Sequence, residues 1–95
     1  MFAVIFTAEI EEIDQEYSHV AKRMRELAVN EYGCIDFNSV TEGNKEIAIS
    51  YWPNLDSITA WKNNPEHKQA QMIGRSKWYK SYTVQVVEMI REYSD

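Results

Sequence analysis

A chain of 95 residues with 44% hydrophobic and 26% charged side chains, three Gly and two Pro is a single domain's worth of folding sequence. That composition excludes a disordered, collagen-like or low-complexity protein. Ten Lys and Arg against fifteen Asp and Glu leave a net charge of −5, the wrong sign for gripping a phosphate backbone, so no nucleic acid partner is expected.

Cys34 stands alone and cannot form an internal disulfide or a Cys-rich zinc site, which points to a reducing compartment. Met1 to Ala8 is apolar without a basic flank and runs straight into Glu9, Glu11 and Glu12. It reads as neither a signal peptide nor a membrane span, and the expectation is a soluble cytoplasmic protein with no membrane partner. By area scaling, 11.2 kDa folds to about 5,700 Å² of surface from about 16,000 Å² unfolded, a marginal core that a second chain would strengthen.

Phe2 to Thr7 is β-branched or aromatic at both alternating parities and reads as a strand covered on both faces. From Ile13 the apolar positions Tyr17, Val20, Met24, Leu27 and Ala28 recur at helical spacing, so a helix is expected to about Tyr32, with Gly33 just past its end. Cys34 to Thr41 and Glu46 to Trp52 form two β-rich runs around the turn Glu42-Gly43-Asn44-Lys45, a hairpin. In the second run Ile47, Ile49 and Tyr51 share one face, while Ala48, Ser50 and Trp52 share the other.

Asn54 caps a short helix carrying Leu55, Ile58 and Trp61, and Asn64-Pro65-Glu66 restarts the chain as a cap, a first-turn proline and an acid. This second helix is expected to reach about Tyr79, followed by a strand from Thr83 to Ile90 in which the parity change at Val86 and Val87 suggests a bulge.

The order β-α-β-β-α-β is that of a ferredoxin-like α+β fold, a four-stranded antiparallel sheet with helices on one face, in a single domain over residues 1–95. Helices on one side cannot cover strands that are apolar on both. About 600 Å² of wet apolar sheet per chain would cost near 15 kcal/mol at about 25 cal/mol per Å², so a homodimer through the sheet faces is expected.

The sequence holds no G-x-G-x-x-G, P-loop, H-E-x-x-H or paired-cysteine motif, and no cofactor or metal is expected. His19 reads as a surface residue. His67, Gln71, Gly74 and Trp78 fall on one helical face, either as a packing stripe with close approach at Gly74 or as the wall of a cleft. Cys34 has neither a base nor cations nearby and is not read as a nucleophile. The density of aromatics among Tyr51, Trp52, Trp61, Trp78, Tyr79 and Tyr82 suits core, interface, or a pocket for a flat aromatic ligand.

Ser50-Tyr51-Trp52, Ile58, Ala60-Trp61-Lys62, Pro65-Glu66-His67, Ala70-Gln71, Gly74-Arg75, Trp78-Tyr79 and Tyr82 resemble, in order and spacing, the antibiotic biosynthesis monooxygenase (ABM) domain family. The resemblance implies a dimeric α/β barrel in which two ferredoxin-like sheets face each other. It also implies that Trp61 matches the helix tryptophan lining the cleft in the better understood branches. The heme-degrading branch uses an Asn of the first strand and a His beyond that Trp; Thr7 and Gln71 stand at the corresponding positions here, which disfavours that route.

The reading is then a cofactor-independent monooxygenase of a small electron-rich aromatic, phenol or quinol, held in a cleft between sheet and helices. His67 and Arg75 are the expected catalytic residues, as base and as phenolate stabiliser; Tyr51, Trp61, Gln71 and Trp78 are the expected substrate contacts. The competing expectations are a non-catalytic dimeric module binding a small hydrophobic ligand and, third, heme breakdown.

Overall fold

The computed structural model describes residues 1–95. Strand β1 (Phe2–Ile10) leads into helix α1 (Gln15–Glu31), the hairpin strands β2 (Asp36–Glu42) and β3 (Lys45–Trp52), helices α2 (Leu55–Lys62) and α3 (Pro65–Ile73), a π-helical turn (Gly74–Trp78), and strand β4 (Tyr79–Glu88). The four strands form one sheet in the order β2-β3-β1-β4, antiparallel throughout. The ferredoxin-like fold class is as expected, with the second helical segment split in two.

Side-chain caps set the helix starts. Asp14 accepts from the Tyr17 amide at 2.8 Å, so α1 begins at Gln15 rather than Ile13, and Gly33 takes the left-handed φ of 77° just beyond the other end. Asn54 caps α2 through the Ser57 amide. Asn64 accepts from the Glu66 and His67 amides and donates to the Tyr32 hydroxyl at 2.9 Å, tying the start of α3 to the end of α1. In the hairpin, Gly43 supplies φ 62° at the first turn position.

The register settles which side chains share a face. Phe2, Val4, Phe6 and Ala8 of β1 stand level with Trp52, Ser50, Ala48 and Glu46 of β3, and with Glu88, Val86, Val84 and Tyr82 of β4. This is the helix-covered side. The core there comprises Val4, Met24, Leu27, Ala28, Cys34, Trp52, Ile58 and Trp61. On the opposite, helix-free face lie Ala3, Ile5 and Thr7, with Tyr51, Ile49 and Ile47 beside them and Val87, Gln85 and Thr83 on the other flank.

Two expectations at the C-terminal end are corrected. The helical segment runs to Trp78 and is closed by Tyr79, as expected, with its last turn widened to a π-turn from Gly74, but the strand follows at once and starts at Tyr79 rather than Thr83. No bulge separates Val86 from Val87, which pair with Val4 and Ala3 in plain alternation. The register shift lies at Glu9/Ile10, where Ile10 pairs with Tyr79 and Glu9 with Ser81. The extra residue, Lys80, brings Tyr79 and Tyr82 to the same side despite their opposite parity. Both rings pack on Phe6, at 5.3 and 5.8 Å between centroids.

Candidate active site

The helix-covered side of the sheet is incompletely filled. A cavity of about 390 Å³ lies between the strands and the helices, in the size range of small-molecule sites. Val4, Phe6, Ala48, Val84 and Val86 form its floor, α1 supplies Tyr17, Val20 and Met24, and the opposite wall comes from α2, α3 and the π-turn. Val84 and Val86 are 49% and 48% exposed although they face the helices, so the cavity opens along β4.

Trp61, His67, Gln71, Arg75 and Trp78 all line this one cavity. Tyr51, expected among the substrate contacts, does not: it pairs with Ala3 on the helix-free face. The reason is the two-residue period of a strand, which turns Trp52 inward and Tyr51 outward. Thr7 also faces away, level with Ile47 and Thr83, whereas Gln71 is in the cavity. The two positions matched to the heme-degrading branch thus stand on opposite sides of the sheet.

Trp61 is both core and cavity wall. It is buried, donates from Nε1 to the Met24 carbonyl at 3.3 Å, and packs on Trp52 and, edge-on, Phe37. The His67 ring lies over it, 4.1 Å between centroids and 35° from parallel. Nδ1 of His67 is 3.4 Å from the Lys62 carbonyl; a carbonyl only accepts, so this weak contact assigns the proton to Nδ1 and leaves the Nε2 lone pair free. Burial pushes the imidazole below its ordinary value of 6.5, against the opposing pull of the Lys62 carbonyl, so His67 is neutral at neutral pH, the form that accepts protons.

Arg75 sits at the cavity rim, exposed. Its Nε donates to the Tyr82 hydroxyl at 2.7 Å and its guanidinium lies over the same ring. The π-turn fixes its place: Gly74 is buried, and a Cβ there would come within 2.8 Å of the Tyr79 ring. Trp78, 2% exposed, donates to Asp14 at 3.2 Å and meets Tyr17 edge-on.

The deep end of the cavity holds a group that the motif search passed over. Glu46 is only 8% exposed and accepts a hydrogen bond from the Tyr17 hydroxyl. Burial and the adjoining carboxylate push both neighbouring phenols up, Tyr79 to about 12 and Tyr17 upward as well, so both remain protonated, and Tyr17 is the one that donates to Glu46. The signal was available: Glu46 has the same parity as Ser50 and Trp52, a charge on the inward face of a strand. No cluster of His, Cys, Asp and Glu could hold a metal ion, and no helix is long and apolar enough to cross a membrane.

Comparison with known proteins agrees with this architecture. Residues 1–72 match the family described as antibiotic biosynthesis monooxygenase. The uncharacterized protein YqjZ of Bacillus subtilis is 39% identical over 92 residues, covering 96% of this chain and 81% of its own. Among solved structures, SnoaB, a cofactor-independent oxygenase from Streptomyces nogalater, superposes with a TM-score of 0.82 at 12% identity, covering 99% of this chain and 97% of its own. Rv0793 of Mycobacterium tuberculosis gives 0.82 at 14% identity, covering 98% of each chain. At such identities these two establish the fold alone.

Proposed function

Because the chain belongs to the antibiotic biosynthesis monooxygenase family, we propose that it is a cofactor-independent monooxygenase of an electron-rich hydroxyaromatic, bound in the cavity between sheet and helices. The observation that carries this reading is the neutral, half-buried His67 stacked on Trp61 in an aromatic-walled cavity. Its free Nε2 is unprotonated near neutral pH and so is available to accept a phenol proton.

The substrate itself is the reductant. Loss of the hydroxyl proton to His67 leaves an electron-rich anion that passes electrons to oxygen. One oxygen atom bonds to the ring carbon, and the other leaves as water with two hydrogens from the substrate. Trp61 and Trp78 hold the ring flat and dry, Gln71 contacts it as a polar wall, and Arg75 offsets negative charge at the rim.

The working unit in this proposal is a cytoplasmic homodimer formed through the helix-free sheet faces. Two features support it: the apolar Ala3, Ile5, Ile47, Ile49 and Val87 on that face, and an isolated-chain surface of 6624 Å² against about 5,700 Å² expected of a monomer of this mass. Oxygen uptake by the purified protein over a panel of anthrones, hydroquinones and quinols tests the activity. Uptake that is lost in His67→Asn supports it, and a flat trace across the panel overturns it.

A further inference from the structure

The charges lining the cavity are of the opposite balance to the chain as a whole. Arg25, Lys62 and Arg75 line it against a single acid, Glu46, in a protein whose acids outnumber its Lys and Arg by fifteen to ten. None of these three cations has a carboxylate within ion-pair distance; the ion pairs of the molecule are Arg23 with Glu66, Lys77 with Asp14, and Lys80 with Glu9, all of them cations outside the cavity. Cations on an acidic protein that stay unpaired around one cavity are available to an anionic ligand.

Arg75 is the one shaped for it. Its Nε is spent on the Tyr82 hydroxyl and its plane is held against the Tyr82 ring, while both terminal nitrogens have no protein partner. Those two nitrogens form the edge that takes a carboxylate through two parallel hydrogen bonds. Arg25, by contrast, uses a terminal nitrogen on Ser39 at 3.0 Å.

The far end sets the orientation. Glu46 and Tyr82 flank Ala8 in one row across the sheet, so their backbones are about 10 Å apart at two strand spacings. Glu46 is buried and Arg75 is at the rim. A ligand carboxylate placed inward would have to share its site with the Glu46 acid, whereas at the rim it meets the free guanidinium edge, and a hydroxyl pointing inward has acceptors.

From this we infer that the cavity selects hydroxylated arene carboxylates, with the carboxylate on the terminal nitrogens of Arg75 and the hydroxyl directed inward, where His67 takes its proton. This deepens the proposed function and rests on the cavity being the substrate site. The test compares binding of a hydroxynaphthoic acid and of the corresponding carboxylate-free naphthol, followed by quenching of tryptophan fluorescence in the parent protein, Arg75→Gln and Arg75→Lys.

The expected result is at least about tenfold tighter binding of the acid at low salt, an advantage that shrinks as salt rises. The ratio of acid to naphthol affinity, read within each variant, falls to about one in Arg75→Gln and keeps only part of its parent value in Arg75→Lys, which keeps the charge without the fork. Equal binding of acid and naphthol, or a preference that persists in Arg75→Gln, overturns the inference while leaving the cavity as the substrate site. Failure of both compounds to bind overturns both readings.

Discussion

Trp61 is the residue on which the fold and the proposed site depend together, and graded replacement separates the two. Trp61→Ala removes a buried ring that packs on Trp52 at 5.2 Å, on Phe37 at 6.0 Å and beneath His67 at 4.1 Å. Emptying such a position costs about 3–5 kcal/mol. A domain of 95 residues has a total stability of about 5–14 kcal/mol at 0.05–0.15 kcal/mol per residue, so this single change removes a large share of it.

With a urea slope of about 2 kcal/mol per M, the midpoint is expected to fall by about 2 M. Trp61→Phe should cost much less, about 1–2 kcal/mol. It loses the Nε1 hydrogen bond to Met24, worth about 1 kcal/mol net, but it keeps an aromatic ring over His67. The Met24 carbonyl lies inside α1 and retains its helical partner, so no acceptor is orphaned.

Urea titrations of the three proteins give these differences, and oxygen uptake measured on the two that remain folded at low urea gives the site's share. Loss of uptake in Trp61→Phe with stability largely intact assigns Trp61 to the substrate as well as to the core. A Trp61→Ala midpoint within a few tenths of a molar of the parent refutes the packing argument, because a ring surrounded as this one is cannot be removed at so little cost.

Two further outcomes are expected. Burial holds the folded-state value of His67 below 6.5; the neutral base is therefore present above that range and lost as pH falls through the lowered value, so uptake should show an acid limb below pH 6.5 that flattens in any residual activity of His67→Asn, and an unchanged limb would exclude His67 as its source. Light scattering coupled to size exclusion should give twice 11.2 kDa at micromolar concentration and a monomer for Ile49→Lys, which puts a charge on the helix-free face; a parent protein that elutes as a monomer removes the dimer and with it the barrel.

The order of the strands and two of the helix caps were legible because each has a local cause. Asn54 and Asn64 accept amide hydrogens within three residues of themselves, and the alternation in Lys45–Trp52 assigns the two faces of β3 without any tertiary information; the Asp14 cap, by contrast, was hidden behind the apolar Ile13 at the head of the helical stripe. That same alternation placed Tyr51 opposite Trp52, so its assignment to the cavity ran against the strand's own period. The start of β4 was not legible. It depends on the π-turn at Gly74, where close approach to the Tyr79 ring decides the geometry, and on the extra residue at Lys80 opposite Glu9 and Ile10. Both are products of contacts between segments far apart in sequence. The bulge was expected where two valines adjoin, but adjacent apolar residues need only a sheet with two apolar faces.

The same reasoning explains why the chemistry was harder to read than the fold. Motifs announce chemistry when the reacting groups lie close in sequence; here they converge from separate elements, with Tyr17 from α1, Glu46 from β3, His67 from α3 and Arg75 from the π-turn around one cavity. Packing alone does not call for an acid at position 46. A buried carboxyl whose protein partner is one phenol gains less from folding than an apolar side chain of similar volume would, since the acid surrenders its hydration and the hydrocarbon does not. Nor does packing call for apolar Val84 and Val86 to stand half-exposed on the helix side of the sheet. A half-exposed apolar floor, a buried acid at one end and an unpaired guanidinium at the other are each unfavourable or neutral for folding. A flat ligand with a hydroxyl at one end and an anion at the other would cover the valines, present its hydroxyl inside the cavity where His67 accepts the proton, and pair the guanidinium in a single binding event.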